Sequence, residues 1–214
     1  MNRAKPTLPS GLYGITAERL SQGRSNLEVA RAMIDGGIKV IQYREKRHLK
    51  SYQSILEECR QIRELTRNHG VVFIVNDFVD IAQLVDADGV HVGQDDLPVE
   101  AVRRLLGPDK LIGLSTHSPA QADAAATVGA DYIGVGPIYA TQTKEDVCAP
   151  VGLEYLDYAV NHSDLPFVAI GGIKEDTITE VTGRGAESVC LVSEIVGAED
   201  IPAMVRTLNQ SFNQ

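Results

Sequence analysis

Short apolar runs rich in β-branched residues alternate with amphipathic stretches along nearly the whole chain. Most of these runs are continuously apolar, which is typical of parallel strands covered on both faces. We predict eight strands, at 12–16, 39–44, 71–76, 89–93, 111–115, 132–138, 167–171 and 188–192. The amphipathic stretches predict eight helices, at 26–35, 50–68, 79–84, 99–106, 119–128, 153–161, 176–183 and 201–212.

Eight strand-then-helix units in 214 residues predict an α/β fold, a (β/α)8 TIM barrel. We expect a single domain over residues 1–214, with its core at about 12–212. Ser25, Ser118 and Asp200 stand where helix N-caps are expected. The alternative is a doubly wound open sheet, which is weakened because ITAERL, and no GxGxxG, follows the first predicted strand.

Charge and cysteine content narrow the classes of function. A formal net charge of −9 argues against a nucleic-acid surface. No apolar run reaches the roughly 18 residues of a membrane span, and the N-terminus lacks the apolar core of a secretory signal. Three widely spaced cysteines make neither a disulfide framework nor a zinc site. We therefore expect a cytoplasmic protein with reduced thiols and small-molecule partners, with homo-oligomerisation left open.

The second predicted strand ends in a cluster of polar side chains. Gln42, Arg44 and Lys46 occupy alternate positions and so share one face of an extended strand, while Tyr43 and Glu45 face the other way. Three donors on one face indicate an anion or a polar heterocycle. The alternative is an ion-paired strand end, with Glu45 or a neighbouring carboxylate as the partner.

Two acidic residues follow the third and fourth predicted strands. The carboxyl ends of barrel strands converge on one mouth, so Asp77 and Asp96 are expected to approach each other there. Mg²⁺ prefers a few carboxylates together with substrate phosphate oxygens, so the pair predicts a magnesium site. The alternative for Asp77 is a helix N-cap.

The later strands end in residues suited to phosphate. Thr141, Thr143 and Lys144 combine two hydroxyl donors with a positive charge after the sixth strand, although a solvated Thr-rich turn would have the same composition. After strands seven and eight, backbone amides near three residues are expected to form a second anion site: Gly172, Val192 and Ser193. Two anion sites at one mouth indicate a reaction that joins two phosphorylated molecules.

Eight segments, in this order and spacing, resemble the thiamine phosphate synthase family. They are QYREK, NDFVDIA, DGVHVGQDD, GLSTH, GVGPIYATQTK, PVGLEYL, AIGGI and VS. The resemblance implies a barrel enzyme that joins a hydroxymethylpyrimidine diphosphate to a thiazole phosphate, giving thiamine monophosphate and pyrophosphate. It also implies that the thiazole arrives either as such or as a carboxylated form that loses CO₂.

The resemblance further implies roles for individual residues. The pyrimidine diphosphate contacts would be Gln42, Tyr43, Arg44, Glu45, Lys46, Asn76, Ser115 and Lys144. The thiazole phosphate contacts would be Thr141, Thr143, Gly172, Val192 and Ser193. Asp77 and Asp96 would hold one Mg²⁺ per subunit, and the catalytic residues would be Lys144, Arg44, Lys46 and Ser115.

The sequence leaves some alternatives open. His91 and His117 are candidate bases, with a structural or binding role as the alternative for each. A sibling barrel, the thiazole tautomerase, carries a His where this chain has Pro137. A phosphate-ligand sensor without activity would share the fold but has no need of Asp77, Asp96 and Lys144.

Overall fold

The eight strands close into one parallel barrel in chain order, as the alternation predicts. In this computed structural model, which describes residues 5–143 and 148–213, β1 pairs with both β2 and β8 and every pairing is parallel. The strands are β1 Gly11–Ile15, β2 Val40–Tyr43, β3 Val72–Asn76, β4 Gly89–Val92, β5 Leu111–Thr116, β6 Tyr132–Val135, β7 Phe167–Ile170 and β8 Ser188–Cys190. The TIM-barrel prediction is confirmed.

Helices follow the strands and cover the outside of the barrel. They are α1 Asn26–Asp35, α2 Tyr52–His69, α3 Val79–Leu84, α4 Val99–Leu106, α5 Pro119–Thr127, α6 Gly152–His162, α7 Ile178–Gly183, α8 Val192–Val196 and α9 Ile201–Phe212, with a 3-10 turn at Glu18–Leu20. The predicted caps are confirmed: Ser25, Ser118 and Asp200 each accept a backbone N–H of the first helical turn. Within the described ranges, no helix is both long and apolar enough to cross a bilayer.

Apolar side chains form two separate layers. The larger layer lies between the barrel and its helices, and includes Phe73, Val90 and Ile112. The smaller lies inside the barrel, where Ile74 and Val168 pack with two tyrosines, Tyr13 and Tyr132. Because both faces of the strands are buried, the strands read as continuous apolar runs.

Two predicted strands, the sixth and the eighth, extend two or more residues past the observed C-terminal ends of β6 and β8. The sixth ends at Val135 because the next two residues are Gly136 and Pro137, and proline has no N–H for the ladder. The eighth ends at Cys190, and Val192 instead begins the short helix α8, which the sequence reading missed. Val192 and Ser193 therefore lie in the first turn of a helix rather than at a strand end.

Candidate active site

The polar residues predicted after β2 to β5 lie at one mouth of the barrel. Along β2 and the residues that follow it, side chains alternate between the two faces as expected. Gln42 is buried inside the barrel, where its Nε2 donates to Tyr13 Oη at 2.8 Å. Arg44 and Lys46 are half-buried, and both lie near enough to the Asp77 carboxyl to lower its pKa. The mouth therefore holds two cations next to a carboxylate.

The side chains of Tyr43 and Glu45 lie on the opposite side of the strand. Tyr43 Oη donates to Glu58 Oε2 at 2.7 Å, toward α2. Glu45 Oε1 accepts from Asn26 Nδ2 at 3.0 Å and from the backbone N–H of Glu18 at 3.0 Å. The structure does not bring these two side chains together with the mouth cluster, because strand residues alternate between the two faces.

Asp77 has an unusual backbone conformation. Its φ is +60°, and the N–H of Phe78 donates across it to the carbonyl of Asn76 at 2.7 Å, which forms a γ-turn. The Asp77 N–H itself donates to the His91 carbonyl at 3.0 Å. Phe78, not Asp77, occupies the N-cap position of helix α3, and it makes no side-chain cap hydrogen bond. The N-cap alternative for Asp77 is therefore not what the structure has. Backbone strain of this kind is often found where a side chain is held in a particular direction for function.

The carboxyl groups of Asp77 and Asp96 are neighbours across the mouth. Burial and the adjacent Asp96 carboxyl raise the pKa of Asp77 to about 6, whereas Lys46 and Arg44 act in the opposite direction. Asp96 is exposed, and its Oδ2 accepts from the Gly93 N–H at 2.7 Å. Because burial and the neighbouring Asp96 carboxyl disfavour the ionised form of Asp77, a cation bound between the two carboxylates would stabilise both negative charges.

The same residues fit a magnesium ion by the chemistry of their donors. In the part of the chain that the structure describes, no three His, Cys, Asp or Glu side chains are grouped to hold a metal by themselves. Mg²⁺ does not need such a cage, since one or two carboxylates and substrate phosphate oxygens satisfy it. Asp77 and Asp96 are the residues here that would hold it.

A second group of predicted residues lies after β6 and β7. The hydroxyl oxygens of Thr141 and Thr143 are 3.0 Å apart, and the Thr143 carbonyl accepts from Arg19 Nη2 at 2.7 Å. Gly172 has φ +66°, and a Cβ there would lie 2.6 Å from the Ala140 carbonyl oxygen. Only glycine can let these two loops approach each other so closely. Lys144, the predicted cation of this loop, lies outside the described residues.

A family model described as thiamine monophosphate synthase matches residues 12–195 of this chain. The chain belongs to that family. The resemblance seen in the eight sequence segments is therefore confirmed.

Individual members of the thiamine monophosphate synthase family match over nearly their full length. A thiamine-phosphate synthase of Pelotomaculum thermopropionicum is 64% identical over 94% of this chain and 91% of its own length. A thiamine-phosphate synthase of Lawsonia intracellularis is 55% identical, over 96% and 94% of the two chains. The solved structure of the thiamine phosphate pyrophosphorylase from Pyrococcus furiosus aligns with a TM-score of 0.86, at 35% identity, over 94% of this chain and 95% of that one.

The two histidines that sequence reasoning left open differ in their contacts in this family member. His91 Nε2 lies 2.9 Å from Ser115 Oγ, whereas His117 Nδ1 lies 2.6 Å from the backbone carbonyl of Gly136. His91 also contacts Tyr132, which sequence reasoning missed together with Tyr13. Both tyrosines read as ordinary apolar strand residues. The sequence offered one sign of them: each places a phenol hydroxyl on a predicted buried strand, where a polar group needs a hydrogen-bond partner.

Proposed function

We propose that this chain is a thiamine-phosphate synthase. It would join 4-amino-2-methyl-5-hydroxymethylpyrimidine diphosphate to 4-methyl-5-(2-phosphoethyl)thiazole, or to its carboxylated form with loss of CO₂, and release pyrophosphate. Family membership supports the activity. The observation that carries the proposal in this chain is the cluster of Asp77, Asp96, Arg44 and Lys46 at the barrel mouth. We place the enzyme in the cytoplasm and treat the barrel as its one catalytic domain.

The cluster suits the departure of pyrophosphate. As the bond between the pyrimidine methylene carbon and the diphosphate oxygen breaks, its electron pair leaves with the oxygen. Arg44 and Lys46 would neutralise the charge that develops there. Mg²⁺ held by Asp77 and Asp96 would supply further charge neutralisation to the diphosphate. Lys144 is assigned the same role from the sequence alone.

The other substrate then needs positioning more than activation. The thiazole nitrogen donates its lone pair to the methylene carbon, which forms the new C–N bond and leaves a thiazolium cation. An electron-rich aminopyrimidine stabilises positive charge at that carbon, so no protein nucleophile is needed. Ser115 and Asn76 would contact the pyrimidine diphosphate. The thiazole phosphate would be held by Thr141, Thr143, Gly172, Val192 and Ser193. Much of the rate enhancement would come from proximity.

Pyrophosphate release from the purified protein tests this function. We expect release only when both substrates and Mg²⁺ are present, with thiamine monophosphate formed in equal amount. Rearrangement of a thiazole phosphate without any pyrophosphate release would instead identify a tautomerase. If neither pyrophosphate release with both substrates and Mg²⁺ nor rearrangement of the thiazole phosphate is detected, the proposal is contradicted.

The separation of two phosphate sites gives a second test. Ser193 is exposed in the first turn of α8, and Ser193→Asp would put a negative charge where the thiazole phosphate is proposed to bind. We expect the KM for that substrate to rise by at least about tenfold, because like charges placed together cost several kcal/mol. Ser193→Asn, of the same shape but uncharged, is the control and should raise it much less. Equal increases in both substrate KM values would show that the sites are not separate.

A further inference from the structure

Five side chains form one continuous hydrogen-bonded chain through the barrel interior. Gln42 Nε2 donates to Tyr13 Oη at 2.8 Å, and Tyr13 Oη lies 3.1 Å from Tyr132 Oη. Tyr132 Oη lies 3.1 Å from His91 Nδ1, and His91 Nε2 lies 2.9 Å from Ser115 Oγ. Both ends of this interior chain, Gln42 and Ser115, are residues proposed to contact the pyrimidine diphosphate.

A glycine on the strand between His91 and Tyr132 makes their contact possible. His91 on β4, Gly113 on β5 and Tyr132 on β6 are paired side by side in the sheet. Residues two strands apart are about 9 to 10 Å apart along the sheet, so a side chain on the middle strand would separate them. A Cβ on Gly113 would lie 2.2 Å from Tyr132 Cζ and 2.4 Å from His91 Nδ1. The absence of a side chain at this one position lets the two rings meet.

Counting donors fixes the direction of the hydrogen bonds. Tyr13 and Tyr132 are 2% and 0% exposed, and burial raises the pKa of both phenols, so each keeps its single hydrogen. Since the Gln42 amide already donates to Tyr13, the Tyr13 hydrogen is directed to Tyr132 and the Tyr132 hydrogen to His91 Nδ1. With Nδ1 accepting from Tyr132, a ring hydrogen on Nε2 is the one that can be donated to Ser115 Oγ. The Ser115 hydroxyl hydrogen is left for an oxygen of the ligand.

We propose that Tyr132 and His91 are positioning residues that hold the Ser115 hydroxyl as a hydrogen-bond donor toward the pyrimidine diphosphate. The inference rests on the proposed function, because the ligand of Ser115 is taken from it. Neither residue is proposed to touch the substrate. Their effect passes through Ser115, whose hydroxyl would otherwise be divided between donating inward to His91 and donating outward to the ligand.

A pair of Tyr→Phe variants tests the proposal against a matched control. Tyr155 is 4% exposed and its hydroxyl donates to Thr116 Oγ1 at 2.7 Å, beside Ser115 on β5 but outside the interior chain. Tyr132→Phe and Tyr155→Phe each remove one buried, hydrogen-bonded hydroxyl. We expect kcat/KM for the pyrimidine diphosphate to fall by about tenfold in Tyr132→Phe, the effect of one hydrogen bond, and by less than about twofold in Tyr155→Phe. The KM for the thiazole phosphate should stay within about twofold of wild type in both variants.

A second measurement determines the tautomer of the His91 ring directly and does not depend on enzyme activity. In ¹⁵N NMR spectra of the wild-type protein, with the His91 signals assigned by their loss in His91→Gln, we expect a neutral ring protonated on Nε2 and not on Nδ1. His91→Gln keeps a side-chain N–H and should retain more activity than His91→Leu. A ring protonated on Nδ1, or equal activity in Tyr132→Phe and Tyr155→Phe, would overturn the inference. Wild-type protein that releases no pyrophosphate would instead contradict the proposed function, while the tautomer measurement stands independently.

Discussion

Asp77→Asn is expected to lower turnover on the order of 10³-fold while making the metal-free protein more stable. Asparagine tolerates a positive φ about as well as aspartate, so the γ-turn at Asp77 is kept and only the negative charge is lost. Losing a ligand of a metal that stabilises charge in the transition state removes several kcal/mol, which corresponds to a loss of that order. The activity of wild-type protein in EDTA should fall in the same way and return with added Mg²⁺.

The stability gain follows from the raised pKa of the same carboxyl. The pKa of Asp77 rises from 3.8 to about 6 on folding, chiefly through burial and then through Asp96. Between these two values the folded protein binds more protons than the unfolded chain, so this group lowers stability as the pH rises from about 4 to about 6. Above that range the full cost remains, and after allowance for solvent exposure it is about 1 kcal/mol.

The measurement compares thermal unfolding of the two proteins at pH 8 in EDTA and again in Mg²⁺. In EDTA we expect the melting temperature of Asp77→Asn to exceed that of wild type by about 2 to 4 °C. In Mg²⁺ the wild-type protein should gain more, because only its pair of carboxylates is intact. A variant that is less stable in EDTA would contradict the raised pKa of Asp77. A variant that turns over at close to the wild-type rate would show that Asp77 does not serve as a metal ligand.

The barrel was predictable because its strands carry their signal locally. Runs such as Val72–Asn76 and Leu111–Thr116 are apolar on both faces, and their bounds agree with the prediction to within one residue. The alternation that begins in β2 and continues just past its end separated Arg44 from Glu45 correctly for the same reason, since neighbouring positions of extended chain point to opposite faces. Polar residues at the carboxyl ends of barrel strands converge by topology alone, which is why the sequence predicts that Asp77 and Asp96 lie close together.

Features that depend on contacts between distant segments were not predictable. The γ-turn at Asp77 is held by the His91 carbonyl of the next strand, and the sequence NDF gives no sign of it. The interior chain depends on Gly113 lying between His91 and Tyr132, which only the register of β4, β5 and β6 brings about. Helix α8 is five residues long, too short for a periodic pattern to indicate it.

A comparison of Lys46 with Arg47 tests the proposed neutralisation of the leaving group, because these neighbouring basic residues lie in very different surroundings. Lys46 is half-buried and its charge acts on Asp77. Arg47 is exposed, and its guanidinium lies 4.7 Å from the centre of the Tyr52 ring, on the outer surface. Both alanine variants remove one positive charge from the same turn, so long-range electrostatic effects are matched and only the position of the charge differs.

We expect Lys46→Ala to lower kcat by 10²-fold to 10³-fold, about 3 to 4 kcal/mol, with much smaller changes in either KM. Contacts that strengthen as the leaving group gains charge act on kcat, and this is the usual cost of losing one such donor. Arg47→Ala should stay within about twofold of wild type, since an exposed cation–π contact contributes at most about 1 kcal/mol to stability. The measurement is pyrophosphate release at saturating concentrations of both substrates. If Lys46→Ala kept more than about a third of the wild-type kcat, or if both variants lost activity equally, neutralisation of the leaving group would fall to Arg44 and Lys144.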